Sequence, residues 1–279
     1  MQGVILINKT INKTSRDMVN ELNHIFDMKR IGHTGTLDPI ATGVLVMCLG
    51  KYTKLVEDLS QLEKEYIATI QVGIKTDTGD ITGNVLEKRD CEFYSRDIEK
   101  VFKELVGTLE QEIPIYSAKK INGKKLYEYA RSGEKIELPK NKIEIYELRL
   151  LDVTEDKITF ITKVSKGTYI RSLIDIICQK LNIIGTMSFL ERTKQGRFDI
   201  YSSYTIEQIK NGDYKLLKTK DLFEYPVYCL NEEEYNKVKN GNSINIPLTN
   251  KKIILEYANN EIAIYKKCEN LYKPDVMLL

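Results

Sequence analysis

A glycine- and proline-rich stretch at residues 32–45, GHTGTLDPIATGVL, constrains this chain more than any other segment. Its three glycines and one proline exclude a regular helix, because glycine adopts backbone conformations that other residues avoid and proline fixes its own φ angle. The proline also pushes the residue before it, Asp38, towards an extended conformation. The sequence therefore predicts a stiff loop that presents a single carboxylate.

The carboxylate of Asp38 has apolar neighbours in sequence, namely Leu37, Pro39 and Ile40, and the loop contains no lysine or arginine. A charged carboxylate among apolar groups is poorly solvated, so a cation from a distant part of the chain is expected to pair with it. In a simpler interpretation, Asp38 only closes an Asx-turn or caps the next element. A phosphate-binding P-loop is excluded because its Gly-Lys-Ser/Thr ending is missing, and a metal site would need more ligands than the nearby His33.

The composition is that of a globular protein with a sizeable core. The chain has 279 residues, of which 42% are hydrophobic and 29% charged, and this length suggests about two domains. The net charge of +2 neither requires nor excludes nucleic acid as a partner. Five scattered cysteines without a C-x-x-C pair indicate free thiols and a reducing cytoplasm. No apolar run approaches the roughly 18 residues of a membrane span, so no membrane partner is expected.

Hydrophobic periodicity predicts alternating strands and amphipathic helices. Residues 14–17, TSRD, form the Asp variant of a capping box and predict the start of the first helix. The predicted strands cover residues 3–8, 44–49, 64–73, 142–151, 157–164, 188–193, 253–257 and 261–265. The predicted helices cover residues 15–26, 51–59, 95–105 and 170–181.

Three segments together resemble one protein family. Residues 32–39 with ATG at 41–43, YSAKK at 116–120 and KGTYIRS at 166–172 are similar to motifs of the TruB family, the bacterial tRNA pseudouridine-55 synthases. The resemblance covers residues 1–200 and implies that Asp38 is the catalytic residue. It also implies that Tyr66 stacks on the target base and that Arg171 pairs with Asp38. Read without the resemblance, Tyr66 is a half-buried strand aromatic and Arg171 forms a surface ion pair with Asp175.

The same resemblance assigns further residues to substrate binding. His33 fills the space that the target base leaves, and Leu190 packs against that base, although an ordinary core leucine explains position 190 equally well. Lys9 matches the first family motif, whose proline and glycine are absent here. We expect all three side chains to contact the substrate.

A basic segment follows the YSAKK motif. Residues 119–142 carry eight basic and three acidic residues, a net charge of 8 − 3 = +5, with tyrosines interleaved at positions 116, 127 and 129. Charge runs are often solvated surface, but a cluster of this sign with aromatic residues is typical of RNA binding. The lysines that we expect to contact RNA phosphates are Lys119, Lys120, Lys124 and Lys125.

Taken together, these observations predict a tRNA pseudouridine synthase that acts on uridine 55 of the TΨC arm. The resemblance implies an α+β fold with a mixed, mostly antiparallel central sheet in residues 1–222, including an RNA-gripping insertion at about 117–145. A small β-rich, PUA-like domain is expected in residues 223–279. We expect no metal and no cofactor, a monomer in the cytoplasm, and tRNA as the partner.

The chemistry requires breaking the N1–C1′ bond of uridine, rotating the base and joining C5 to C1′. The carboxylate of Asp38 could attack C1′ or remove a proton from C2′, and the sequence does not choose between these routes. A dry, apolar pocket around Asp38 is expected to keep water from the intermediate. Two other functions remain open: a non-catalytic RNA-binding or tRNA-folding module, and a synthase that depends on a guide RNA.

Overall fold

The computed structural model describes residues 1–279 and organises them around a nine-stranded and a four-stranded β-sheet, with two small two-stranded sheets. The strands are β1 (Gly3–Lys9), β2 (Ile31–His33), β3 (Thr42–Leu49), β4 (Lys64–Val72), β5 (Ile74–Thr76), β6 (Val85–Lys88), β7 (Gly107–Glu112), β8 (Lys120–Ile121), β9 (Lys124–Lys125), β10 (Lys140–Val153), β11 (Lys157–Val164), β12 (Gly185–Gln195), β13 (Phe198–Asp199), β14 (Val227–Cys229), β15 (Lys252–Tyr257), β16 (Asn260–Cys268) and β17 (Leu271–Met277). The helices are α1 (Ser15–Phe26), α2 (Val56–Ser60), α3 (Ser95–Leu105), α4 (Leu126–Ser132), α5 (Ile170–Leu181), α6 (Ile206–Lys210), α7 (Thr219–Leu222) and α8 (Glu232–Val238).

The nine-stranded sheet has the order β1-β3-β12-β4-β11-β10-β7, with β2 beside β3 and β13 beside β12. Strands β3 and β12 run parallel and the other neighbours in this sheet run antiparallel. The predicted α+β fold with a mixed, mostly antiparallel central sheet is therefore confirmed. Gly43 makes the parallel pairing possible, because it has a φ of +103° and a Cβ there would lie 2.2 Å from the backbone oxygen of Arg192.

Helices α1, α3 and α5 pack with one face of this sheet and build the main hydrophobic core. The capping box at Thr14 and Asp17 is present, and the helices predicted at 95–105 and 170–181 have the expected bounds. The helix predicted at 51–59 is instead a 3-10 helix over Gly50–Leu55 followed by the short α2. The Thr53 hydroxyl donates to the Gly50 carbonyl at 2.8 Å, a local bond that favours the tighter turn.

The four-stranded sheet has the order β14-β15-β16-β17 and packs against the other face of β1 and β3. Side chains from both sheets share one apolar cluster, and the Tyr52 hydroxyl hydrogen-bonds to the Glu261 carboxylate across the contact. The division predicted at residue 223 falls between α7 and β14. The segments before and after it are joined by a buried apolar contact. None of the helices combines the length and apolar character needed to cross a membrane.

Candidate active site

The loop that carries Asp38 runs from the end of β2 to the start of β3 and is fastened at several backbone atoms. The Leu37 N–H donates to Ser15 Oγ at 2.9 Å, at the start of α1. The Pro39 carbonyl accepts from the Asn12 N–H at 2.9 Å. These bonds connect the loop to the turn between β1 and α1, and they give it the stiffness that its glycines and proline predicted.

Asp38 forms a two-pronged ion pair with Arg171, the second residue of α5. Arg171 Nε lies 2.9 Å from Asp38 Oδ2, and Arg171 Nη2 donates to Asp38 Oδ1 at 3.2 Å. Arg171 also donates to the carbonyls of Thr78 at 2.9 Å and Tyr116 at 3.0 Å. Its side chain is 7% exposed and that of Asp38 is 30% exposed. The expected distant cation is therefore present, and it joins three segments of the chain.

The alternative interpretations of these two residues are wrong. Asp175 is exposed and forms no ion pair with Arg171. The carboxylate of Asp38 bonds to Arg171 and to no backbone N–H, so it closes no Asx-turn.

A cavity of about 440 Å³ brings the expected catalytic residues together: Asp38, Tyr66 and Arg171 all line it, with Leu190 beside them. Tyr66 and Leu190 are nearly buried and also belong to the main hydrophobic core. Tyr169, which the sequence did not single out, lines the cavity as well. Its signal was its place in the KGTYIRS motif, two positions before Arg171.

The lining of this cavity corrects the expectation of a dry, apolar pocket. Only six of its 20 lining residues are hydrophobic, and Asp38 is the one carboxylate among them. Three further cations line it, namely Lys64, Lys166 and Arg192. None of the three forms an ion pair with a carboxylate of the chain.

Arg192 is 1% exposed and connects the Asp38 loop to Tyr66. Its Nη1 donates to the Gly35 carbonyl at 3.2 Å and its Nη2 to the Thr36 carbonyl at 2.9 Å. Its Nε donates to the Tyr66 hydroxyl at 3.3 Å, and its guanidinium carbon lies 5.6 Å from the centre of the Tyr66 ring. Sequence reasoning missed this residue. The available signal was an arginine at an inward-facing position of β12, two residues after buried Leu190.

Lys64 occupies the corresponding inward position on β4, two residues before Tyr66, and is 7% exposed. Its Nζ donates to the carbonyls of Ser60 and Leu62, each at 2.6 Å. Burial, followed by the nearby charge of Arg192, lowers the pKa of Lys64 to about 8.

Lys9 and His33 lie outside the cavity lining, and their contact with the substrate stays a prediction. Lys9 is fully buried, and its ammonium donates to the carbonyls of Lys13 at 2.6 Å and Pro39 at 3.4 Å. Burial lowers the pKa of Lys9 to about 8. Lys9 therefore supports the loop from behind. His33 lies on β2 opposite Met47, and burial lowers its pKa, with the charge of Arg192 acting in the same direction.

The basic segment forms a small exposed unit of β8, β9 and α4 that begins at the cavity, since Ser117 and Ala118 line it. Lys119 and Lys120 are exposed. Lys124 is engaged within the unit, 2.7 Å from the Glu134 carboxylate.

The tyrosines of this unit are also engaged. Lys124 Nζ lies 4.5 Å from the centre of the Tyr129 ring, and Lys125 Nζ lies 5.3 Å from that of Tyr127. Two of the four lysines that we expected to bind RNA thus have partners within the chain. No three His, Cys, Asp or Glu side chains cluster in a way that could hold a metal ion.

Comparison with known proteins finds relatives that share one description. The sequence profile described as "TruB family pseudouridylate synthase (N terminal domain)" matches residues 23–170. The tRNA pseudouridine synthase B of Caldanaerobacter subterraneus subsp. tengcongensis is 42% identical over 246 residues, 88% of this chain and 86% of that protein. The tRNA pseudouridine synthase B of Lactobacillus acidophilus is 39% identical over 293 aligned residues, 100% of this chain and 99% of that protein.

Two solved structures share the fold. An H/ACA RNP bound to a substrate RNA containing 2′-deoxyuridine superposes with a TM-score of 0.72, at 20% identity, over 99% of this chain and 85% of that one. A Cbf5-Nop10-Gar1 complex gives 0.71 at 21% identity, over 98% of this chain and 83% of that one. At these identities the likeness concerns the fold alone.

Proposed function

The chain belongs to the TruB family of pseudouridylate synthases, and from this membership we propose that it isomerises uridine 55 in the TΨC arm of tRNA, with Asp38 as the catalytic carboxylate. The activity itself, tRNA pseudouridine synthesis, follows from relatives that are 36–44% identical over most of the chain. The target position and the residue roles are our proposal.

The observation that carries the proposal is the two-pronged ion pair between Asp38 and Arg171 inside the cavity. The guanidinium holds both carboxylate oxygens and so fixes the direction in which Asp38 faces the substrate. From there Asp38 can attack C1′ of the ribose or take the proton from C2′. In either route the base leaves through N1, rotates and rejoins through C5, and the proton on C5 is lost.

The absence of a second carboxylate from the cavity lining favours isomerisation over glycosidic hydrolysis. A retaining glycosidase uses a second carboxyl group about 5 Å from the first to protonate the leaving group and activate water. Asp38 has no such partner in the lining. No second carboxylate in the lining can therefore activate water to attack C1′, and the detached base can rejoin C1′ through C5.

Tyr66 and Leu190 belong to the apolar part of the cavity lining, and we assign them to the target base. A base must leave its RNA stack before its C1′ can reach a carboxylate in a pocket. The ring of Tyr66 can stack on the base and the side chain of Leu190 can pack against it, which replaces the stacking that the base loses in the RNA. The bond from Arg192 to the Tyr66 hydroxyl holds that ring in place.

The exposed lysines of the basic segment, Lys119 and Lys120, are proposed to contact RNA phosphates next to the cavity. Residues 223–279, the proposed PUA-like domain, carry seven lysines and eight acidic residues, a net charge of 7 − 8 = −1. A net charge near zero gives this domain no general electrostatic attraction to tRNA, so we propose that it contributes through shape complementarity.

Two other functions are less well supported. A guide-dependent synthase is less well supported, because the relatives at 36–44% identity over most of the chain are named tRNA pseudouridine synthase B. A non-catalytic RNA module would not need the cavity and its ion pair. The five free cysteines and the tRNA substrate suit a monomeric enzyme of the cytoplasm.

Incubation of the pure protein with an unmodified T-arm stem-loop, followed by pseudouridine mapping, tests the proposal. Product should form at the position of uridine 55 without a guide RNA. Asp38→Asn should abolish it, because losing the reacting carboxylate costs many orders of magnitude, and should leave RNA affinity within a few-fold. Asp90→Asn, at an exposed aspartate outside the cavity lining, is the matched control and should keep full activity. More than about a tenth of wild-type kcat in Asp38→Asn would refute the assignment.

A further inference from the structure

The cavity contains more positive charge than its carboxylate can balance. Asp38 is balanced by Arg171, which leaves Lys64, Lys166 and Arg192 without an acidic partner. Lys64 and Arg192 are buried, and burying like charges without a counter-ion is costly, so an anion that enters the cavity would stabilise them.

The three cations converge on one part of the cavity wall. A Cβ placed on Gly35 would lie 3.7 Å and 3.8 Å from the two terminal nitrogens of Arg192, and 3.8 Å from Lys64 Cε. Burial lowers the pKa of Lys64 most, and the charges of Arg192 and Lys166 act in the same direction. Lys64 and Arg192 therefore flank the same glycine, and the exposed Lys166 approaches them from the rim.

Each of the three cations has at least one N–H group that makes no hydrogen bond within the chain. Lys64 uses two of its three N–H groups on the carbonyls of Ser60 and Leu62. Arg192 uses four of its five N–H groups on the Tyr66 hydroxyl and on the carbonyls of the catalytic loop and of Val44. Lys166 donates to the Gln61 side chain and has two further N–H groups.

We propose that Lys64, Lys166 and the free N–H of Arg192 form a phosphate site that holds a backbone phosphate adjoining the everted uridine. The inference rests on the proposed function and names the part of the RNA that enters the cavity with the base. Tyr66 and Leu190 provide the apolar surface for the base, and these three cations provide the charged surface for its backbone. A phosphate held there would fix the ribose relative to Asp38 independently of the base sequence.

The test replaces single phosphates of the T-arm stem-loop by uncharged methylphosphonates, at the linkage 5′ or 3′ of the target uridine. For wild-type protein, one of the two substitutions should lower the single-turnover rate at subsaturating RNA by about 10-fold or more, the effect of losing a charge-assisted hydrogen bond. The same substitution should cost Lys166→Gln clearly less than it costs wild type, because one of the three contacts to the phosphate is already missing.

Lys194→Gln is the matched control, since this exposed lysine pairs with Glu65 and does not line the cavity. It should keep the full wild-type loss. Lys64→Met should behave like Lys166→Gln, but it removes donors from two carbonyls, so Lys166→Gln decides the result if Lys64→Met does not fold. A loss at neither linkage, or an equal loss in wild type, Lys166→Gln and Lys194→Gln, would overturn the phosphate site.

Affinity measurements with the same RNAs separate this inference from the proposed function. If wild type binds the stem-loop but makes no pseudouridine, the proposed function fails. The fluorescence anisotropy of the methylphosphonate RNAs then still tests the site, because the loss in affinity and its reduction in Lys166→Gln do not depend on catalysis. Equal affinities of wild type for the charged and both uncharged RNAs would again overturn the site.

Discussion

Replacing Arg171 by lysine keeps a positive charge beside Asp38 but removes the two-pronged geometry of the ion pair. The guanidinium makes two bonds to the carboxylate and two to the carbonyls of Thr78 and Tyr116. A lysine ammonium is a point charge on a flexible stem and can keep at most part of this set. The substitution therefore separates charge from orientation.

The size of the effect follows from the bonds that are lost. Losing one charge-assisted hydrogen bond to Asp38 costs about 1.5–3 kcal/mol, so Arg171→Lys should lower kcat about 10- to 150-fold. Arg171→Met removes both bonds, and removing one partner of a buried ion pair lowers the free energy of unfolding by about 3–5 kcal/mol. Because the Asp38 side chain is 30% exposed and partly hydrated, we expect the lower end of that range for Arg171→Met.

The assay follows the proton lost from C5. A stem-loop with tritium at C5 of the target uridine releases the label to water when C5 bonds to C1′, and saturating single-turnover conditions report the chemical step. RNA affinity should change less than about 3-fold in Arg171→Lys, because the lost bonds are internal to the protein. Lys180→Gln, at the exposed end of α5, serves as the control. A rate of Arg171→Lys within about 3-fold of wild type would refute the idea that the guanidinium is needed to orient Asp38.

Four further outcomes are expected. Affinity for the stem-loop should fall as the pH rises through about 8, because Lys64 then loses the proton with which it would bind a phosphate. Measured by anisotropy, the ratio of the affinity at about pH 7 to that at about pH 9 should be smaller for Lys64→Met than for wild type, and equal ratios would contradict this. Lys119→Ala and Lys120→Ala should each reduce the log–log salt slope of binding by about 0.7 to 0.9, and an unchanged slope would mean solvated surface. Deletion of 231–279 should lower the urea midpoint of the remaining chain, because it uncovers apolar side chains shared by both sheets; an unchanged midpoint would mean that the shared cluster contributes nothing. Gly43→Ala should destabilise the fold by about 3 kcal/mol or more in urea unfolding, because its Cβ would meet a backbone oxygen of β12, and a loss below about 1 kcal/mol would contradict this.

The elements that the sequence predicted well are those with strong local signals. The helices α3 and α5 and the strand β11 have the predicted bounds, because apolar spacing over ten or so residues reports directly on one buried face. The capping box of α1 was equally local. The 3-10 helix at Gly50–Leu55 was missed because its tight turn depends on a single hydrogen bond that periodicity does not reveal.

The sequence by itself determined that Asp38 sits in a stiff loop and needs a cation from elsewhere, because glycine, proline and apolar neighbours act within a few residues. The tertiary structure decided which cation comes, since α5 brings Arg171 to Asp38 across 133 positions of sequence. It also decided that Lys9 is buried behind the loop, while Lys64 and Arg192 line the cavity. Lys64 and Arg192 meet because β4 and β12 lie side by side in the sheet, and that adjacency brings together side chains whose separation in sequence carries no local signal.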